Sequence, residues 1–115
     1  MDNERIVVIG PETADTAGLQ IALSADHRIL GRVDSPEEIA KLPREKADRP
    51  TLAIVPIYPR TRRQLTLERV VTFQREFPDA PIIAMTWQEE SFPWAKTTFD
   101  SGIKIVDLKA LVKSL

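Results

Sequence analysis

Short runs of apolar residues alternate along the chain with longer stretches that mix apolar and polar positions. A continuous apolar run of about four to eight residues is typical of a strand that is buried on both faces of a sheet. The clearest run is LAIV at residues 52–55, and Pro56 follows it directly. The pattern predicts five strands, at residues 6–9, 28–33, 52–55, 81–85 and 103–106.

The stretches between these runs carry helical signals. Ser35, Pro36 and Glu38 are spaced as an N-cap, a proline at the first helical position and a capping-box acid, and Pro43 ends or kinks the helix that they begin. Strands that alternate with helical connections favour the α/β class, with a parallel sheet wrapped on both faces. Helices are predicted at residues 13–25, 36–43, 61–77, 88–101 and 108–115.

Composition narrows the class of protein further. The 115 residues suffice for one domain with its own core, which we take to be residues 1–115. A net charge of -1 gives no general attraction to nucleic acid or to a membrane, so neither is expected as a partner. The chain has no cysteine, which excludes disulfides and thiolate catalysis. The first apolar run is too short for a signal peptide, and we expect a cytoplasmic protein.

The carboxyl ends of the predicted strands are where a parallel α/β sheet places its sites. Pro56 stands at one of these ends, directly after the third apolar run. Proline has no backbone N–H and no reactive side chain, so a central strand is predicted to stop on a residue that can neither pair nor react. The residues at the strand ends are Gly10, Pro11, Glu12, Asp34, Pro56, Ile57, Tyr58, Thr86, Trp87 and Asp107.

Four ordered segments of the chain resemble the receiver (CheY-like) domain of bacterial two-component response regulators. The segments are RIVVIG as the first strand, RPTLAIVPI as the third, FPDAPIIAMT as the fourth and SGIKIV leading into the fifth. FPDAPIIAMT is the most typical of the family, and the resemblance covers nearly the whole chain. It implies a flavodoxin/CheY-like fold, a five-stranded parallel sheet of order 2-1-3-4-5 with helices on both faces.

The resemblance also implies where a phosphorylation pocket would lie. In receivers an aspartate at the end of the third strand attacks a phosphoryl group, and acidic residues after the first strand hold a magnesium ion. A hydroxyl after the fourth strand and a lysine after the fifth hold the phosphoryl oxygens. The matching positions here are Pro56 for the aspartate, Gly10 and Pro11 for the acidic pair with Glu12 beside them, Thr86 for the hydroxyl, and either Lys109 or Asp107 for the lysine.

The match therefore implies a degenerate pocket, because Pro56 replaces the nucleophile and no acidic pair remains for a metal. Such a pseudo-receiver would be no enzyme and would need no metal or cofactor. We expect a non-phosphorylatable signalling or adaptor domain that acts through a protein partner or through self-association. It would act on its own or as the regulatory domain of a larger regulator.

Two sets of residues are candidates for the surface that makes these contacts. Four of the seven aromatic residues fall within thirteen positions, in the segment that leads from the fourth strand of receivers into the fourth helix. Aromatic side chains are favoured at interface centres, although two or three of them would serve equally well as core. This candidate partner surface comprises Trp87, Phe92, Trp94 and Phe99.

The second candidate is a cationic loop after the third strand, formed by Arg60, Arg62 and Arg63. Guanidinium groups pair well with carboxylates and phosphates, so the loop suits an anion or an acidic partner. The plainer interpretation is a helix start whose charges are solvated. The loop also supports an alternative function, a small α/β domain that binds phosphate or a nucleotide.

Overall fold

The computed structural model describes residues 4–11, 13–57, 63–86 and 104–107. The strands are β1 (Arg5–Ile9), β2 (Arg28–Val33), β3 (Leu52–Ile57), β4 (Ile82–Thr86) and β5 (Lys104–Asp107). The helices are α1 (Ala14–Ser24), α2 (Pro36–Ala40) and α3 (Arg63–Glu76). The predicted helices at 88–101 and 108–115 lie outside the described residues.

All neighbouring strands of the sheet run parallel, in the order β2-β1-β3-β4-β5. Parallel neighbours need crossover connections, and the described helices lie in three of these connections. The predicted α/β class with a parallel sheet is confirmed. Within the part of the chain that the structure describes, no helix is long and apolar enough to cross a membrane.

Alternate residues of the strands build two separate cores, one on each face of the sheet. Val7 and Ile9 of β1 lie in the core that α2 and α3 cover with Ile39, Val70 and Phe73. The other face buries Ile6, Val8, Leu52, Ile54 and Met85 under Leu19 and Leu23 of α1. Complete burial of a side chain of this kind stabilises the folded state by about 1.5–3 kcal/mol. Helices therefore cover both faces.

The first turns of two helices are capped by side chains. Ser35 accepts a hydrogen bond from the Glu38 N–H at 3.2 Å and Pro36 begins α2, which confirms the predicted cap. α2 ends at Ala40, three residues before the proline at position 43 that was expected to end it. At the start of α1, Thr13 and Thr16 form a reciprocal capping box. This fixes the point where the chain leaves β1 and enters the helix.

β2 contains an irregularity that shifts its pairing with β1. Ile6 pairs with Ile29, but Val7 pairs with Gly31, so Leu30 is an extra residue in β2. Gly31 has a φ angle of 130°, in the region that L side chains rarely adopt. The bulge therefore requires glycine, and it determines which residues of β2 lie opposite the end of β1.

Candidate functional site

The carboxyl end of β1 lies directly beside Pro56 of β3. A Cβ atom added to Gly10 would lie 3.7 Å from the Pro56 Cδ, which is ordinary van der Waals contact. The structure therefore brings together two of the residues that the sequence predicted to share a pocket. Neither residue carries a side-chain oxygen or nitrogen, so the space between these two positions is apolar where a carboxylate-based site would need charge.

Pro56 does not end its strand, and that prediction is wrong. β3 continues through Ile57, and Pro56 pairs with Met85 of β4. The strand tolerates proline because of the direction of its missing N–H. Ala53 donates to Pro81 O at 3.0 Å on the β4 side, so alternate residues, including Pro56, direct their backbone groups toward β1. The pairing of β1 with β3 extends only to Val8 and Ile54, and the missing donor falls just beyond it.

The peptide groups of Gly10 are held by β2. Its N–H donates to Val33 O at 2.8 Å, and its carbonyl accepts from Arg32 Nη1 at 2.8 Å. A guanidinium therefore lies at the end of β1, where receivers have acidic side chains. Sequence reasoning missed Arg32 because the bulge at Gly31 sets its register: Arg32 pairs with Val8, and its side chain reaches the Gly10 carbonyl from there.

Pro11 is tied to α1 rather than directed into a pocket. The buried hydroxyl of Thr16, which is 1% exposed, donates to Pro11 O at 3.0 Å. The same hydroxyl lies 3.0 Å from Thr13 O. Glu12, the remaining acid of this segment, lies outside the described residues. The loop from β1 to α1 is thus closed by hydrogen bonds among its own threonines and carbonyls.

The other predicted pocket residues lie on β4 and β5 or beyond. Thr86 is the last residue of β4 and pairs with Ile57 on one side and with Asp107 on the other. β5 ends at Asp107, so the predicted end of this strand at residue 106 is one residue short. Lys109 lies outside the described residues, and the choice between Lys109 and Asp107 for the lysine position stays open.

An ion pair joins the end of β2 to α3. Arg69 Nε donates to Asp34 O at 2.5 Å, and its Nη2 lies 3.1 Å from Asp34 Oδ1. The Oδ1 atom is buried and accepts no hydrogen bond, so the nearby guanidinium balances its charge by proximity. Asp34 was predicted to lie at this edge, whereas Arg69 was missed because only the folded chain brings α3 to β2. Among the described residues, no group of three His, Asp or Glu side chains could hold a metal ion.

The two predicted contact surfaces fall mainly outside the described residues. Arg63 begins α3, and only its backbone is described. The other members, Arg60, Arg62, Trp87, Phe92, Trp94 and Phe99, lie outside the described residues.

The chain is similar to known proteins in structure, but its sequence matches none of the families or curated proteins compared. The BeF3-activated receiver domain of DrrB is similar, with a TM-score of 0.64 and 12% identity over 98% of this chain and 94% of that one. A LuxR-family two-component response regulator from Aurantimonas sp. SI85-9A1 gives 0.61 and 13%, over 98% of this chain and 87% of the other.

A third solved structure, a LuxR-family DNA-binding response regulator from Staphylococcus aureus, has a TM-score of 0.53 and 18% identity. That match covers 96% of this chain and 94% of the other. All three likenesses span almost the entire chain. The chain has the fold of response regulator receiver domains.

Proposed function

We propose that this chain is a receiver-like signalling domain that cannot be phosphorylated and that acts by binding a protein partner. The identity of the two neighbouring residues Gly10 and Pro56 carries the proposal, since a side chain at position 10 would meet Pro56. These residues lie at the edge where a receiver would carry out its chemistry, and they supply neither a nucleophile nor a metal ligand. The domain then functions through its surface, alone or as the regulatory part of a larger regulator.

The electrostatics around this contact support the same conclusion. Phosphoryl transfer to a carboxylate collects negative charge, which a divalent cation must offset. Here the end of β1 already holds the positive charge of Arg32, whose guanidinium donates to Gly10 O. A cation fixed beside this carbonyl disfavours a second, divalent cation at the same place by charge repulsion. No enzymatic activity, metal or cofactor is part of the proposed function.

The test is exposure to a small phosphodonor and to beryllofluoride, each with magnesium. We expect no phosphoryl adduct by mass spectrometry under conditions that preserve acyl phosphates, and no change in thermal stability. Pro56→Asp alone stays unreactive as well, because the residues at positions 10 and 11 still offer no carboxylate. Pro56→Ala is the matched control for the backbone change. An acyl-phosphate adduct on any residue at this edge would refute the proposal.

The segment from residue 87 to 99 is the proposed contact surface, for a partner or for a second copy. Its support is the sequence, which concentrates Trp87, Phe92, Trp94 and Phe99 around a proline. Trp94→Ala separates the two interpretations of these aromatics. If Trp94 lies in an interface, its replacement should weaken binding by about 2 kcal/mol or more and leave folding intact. If it lies in the core, the replacement should lower the free energy of unfolding by about 3–5 kcal/mol. A loss of stability with unchanged association would show that this segment is not the contact surface.

The alternative, binding of phosphate or a nucleotide at Arg60, Arg62 and Arg63, predicts different behaviour. It requires a thermal shift with these small anions that weakens as salt is added. Our proposal requires instead that a protein partner be bound. If the loop is part of the partner surface, the triple alanine variant should lower the affinity for that partner and flatten its salt dependence. A partner site here requires solvated arginines, which contribute little to stability, so on this proposal the variant should fold normally.

A further inference from the structure

A cleft of about 180 Å³ lies at the opposite end of the sheet, where β3 and β4 begin. We call it the amino-edge cleft. One wall is the loop that enters β3, with Arg49 and Thr51, and the other is the turn that enters β4, with Phe77, Pro78 and Asp79. Its volume is comparable to the cavity of about 150 Å³ that holds one benzene molecule. The part of a ligand that lies within the cleft is therefore far smaller than a nucleotide.

Part of the cleft wall is held in place by its own contacts. The Arg44 guanidinium lies 5.4 Å from the centroid of the Phe77 ring and pairs with the carboxylate of Glu76. The charge of Glu76 is therefore already compensated. Phe77 itself is packed against Phe73, with ring centroids 5.2 Å apart. Only 6% of Phe77 is exposed, and the exposed Pro78 beside it adds apolar surface to this ordered wall.

Two charges in the cleft have no partner within the described ranges. The Arg49 guanidinium and the Asp79 carboxylate take part in no hydrogen bond or ion pair there. They belong to the two different walls, one before β3 and one before β4, and both side chains are exposed. A ligand that spans the cleft would meet a positive group on one wall and a negative group on the other.

Backbone hydrogen bonds fix the position of both walls. Arg5 reaches the first wall, where its Nε donates to Arg49 O at 2.7 Å and its Nη2 to Lys46 O at 3.0 Å. In the second wall, Ala80 N donates to Phe77 O at 3.1 Å. The cleft is thus formed before any ligand arrives, which lowers the entropy cost of binding.

We propose that the amino-edge cleft binds a free α-amino acid with an apolar side chain. Its carboxylate pairs with Arg49 and its ammonium with Asp79, and the side chain lies on the Phe77 wall. Charge complementarity selects a zwitterion over a simple anion or cation, and the volume selects a molecule of this size. The inference does not depend on the contact between Gly10 and Pro56, or on the proposed protein partner.

The test is an NMR titration of the full ¹⁵N-labelled chain with L-leucine, L-valine and L-proline at millimolar concentrations. L-Leucinamide lacks the carboxylate and N-acetyl-L-leucine lacks the ammonium, so they test each charge separately. We expect saturable amide shifts in residues 44–51 and 77–80 with the free amino acids, and weaker binding of both blocked forms. Arg49→Ala and Asp79→Ala should each raise the dissociation constant about fivefold.

The matched controls are Arg75→Ala and Asp26→Asn, exposed residues of the same charge that do not line the cleft. Both should bind the amino acids as the unaltered chain does. All four variants change side chains that the structure shows exposed and without polar partners in the described ranges, so we expect them to fold. The proposal is overturned if no free amino acid shifts these amides. It is equally overturned if the blocked forms bind as tightly as L-leucine, or if Arg49→Ala and Asp79→Ala leave binding unchanged.

Discussion

The two edges of this sheet are built from different kinds of residue. At the carboxyl edge Gly10 and Pro56 are neighbours that carry no polar side chain, and β2 satisfies the Gly10 peptide groups. At the amino edge Glu4, Arg5 and Thr51 form a network of side-chain and backbone hydrogen bonds. Among the described residues, the amino edge therefore carries a connected polar network, although parallel α/β sheets usually bind their ligands at the opposite edge.

This difference indicates that the strand centres hold the fold while the edges are free to change. Val7, Val8, Ala53 and Ile54 are fully buried between the two edges. Loops and strand ends set the edges, and their residues can be exchanged without disturbing those centres. Changes of residue at the strand ends are thus compatible with this fold.

The largest loss of stability should come from a substitution in α3, which covers the strand centres. Both edges of the sheet depend on this core. Phe73 of α3 is fully buried and packs against Phe77. Phe73→Ala should lower the free energy of unfolding by about 3–5 kcal/mol, because it leaves a cavity above the sheet. Urea denaturation measures this loss. Leu67→Ala on the same helix, at a side chain that is 38% exposed, is the control and should cost much less. Equal losses would mean that α3 is not seated on the sheet as described.

A smaller loss of stability is expected from a substitution at the amino edge. The Thr51 hydroxyl accepts from Arg5 N at 2.7 Å and donates to Glu4 Oε2 at 2.6 Å. Thr51→Val keeps the shape but leaves the Arg5 N–H without this acceptor, so we expect a loss of about 1–2 kcal/mol. Thr72→Val, which removes a hydroxyl bonded only to the Glu68 carbonyl of its own helix, should be nearly neutral. If both variants are neutral, the network does not stabilise this edge.

The sequence predicts the strand centres well and the strand ends less well. β2 has the predicted bounds, and the parallel α/β class follows from the spacing of the apolar runs. β3 is longer than its apolar run because pairing with β4 carries it through Pro56 to Ile57. The local sequence pattern predicts that a strand ends at proline. Whether the strand continues in the folded chain depends on which neighbouring strand the missing N–H of Pro56 faces.

Only one rule allowed the candidate site to be predicted from the sequence, namely that the carboxyl ends of parallel strands meet at the same edge of a sheet. That rule placed Gly10 beside Pro56 and Asp34 at the same edge. It could not supply Arg32 or Arg69, since the first depends on a bulge and the second on how α3 packs against β2. The amino-edge cleft has no sequence signal either, because its walls come from a loop and a turn more than twenty residues apart along the chain.

At the carboxyl edge the ion pair of Arg69 with Asp34 should contribute less than the Thr51 network. Their side chains are 20% and 35% exposed, and the two charged groups are 3.1 Å apart without an aligned hydrogen bond. A double-mutant cycle with Arg69→Ala and Asp34→Ala should give a coupling energy of about 0.5–1 kcal/mol that falls with added salt. A coupling near zero would show that Arg69 acts through its bond to the Asp34 carbonyl and not through the charge.

The smallest effect should come from Gly10, at the centre of the carboxyl edge. A Cβ there would lie 3.7 Å from Pro56 Cδ, and the φ angle of Gly10 lies outside the left-handed region. Gly10→Ala should therefore change stability by no more than about 0.5 kcal/mol. Gly31→Ala is the contrasting variant, because a φ of 130° should cost it about 1–3 kcal/mol. Thermal unfolding of both variants measures the contrast. A neutral Gly10→Ala would mean that the fold has room for a side chain at the end of β1. The missing acid would then reflect the function of this edge and not a requirement of its packing. A Gly10→Ala loss as large as that of Gly31→Ala would reverse this conclusion and make the apolar contact with Pro56 a structural necessity.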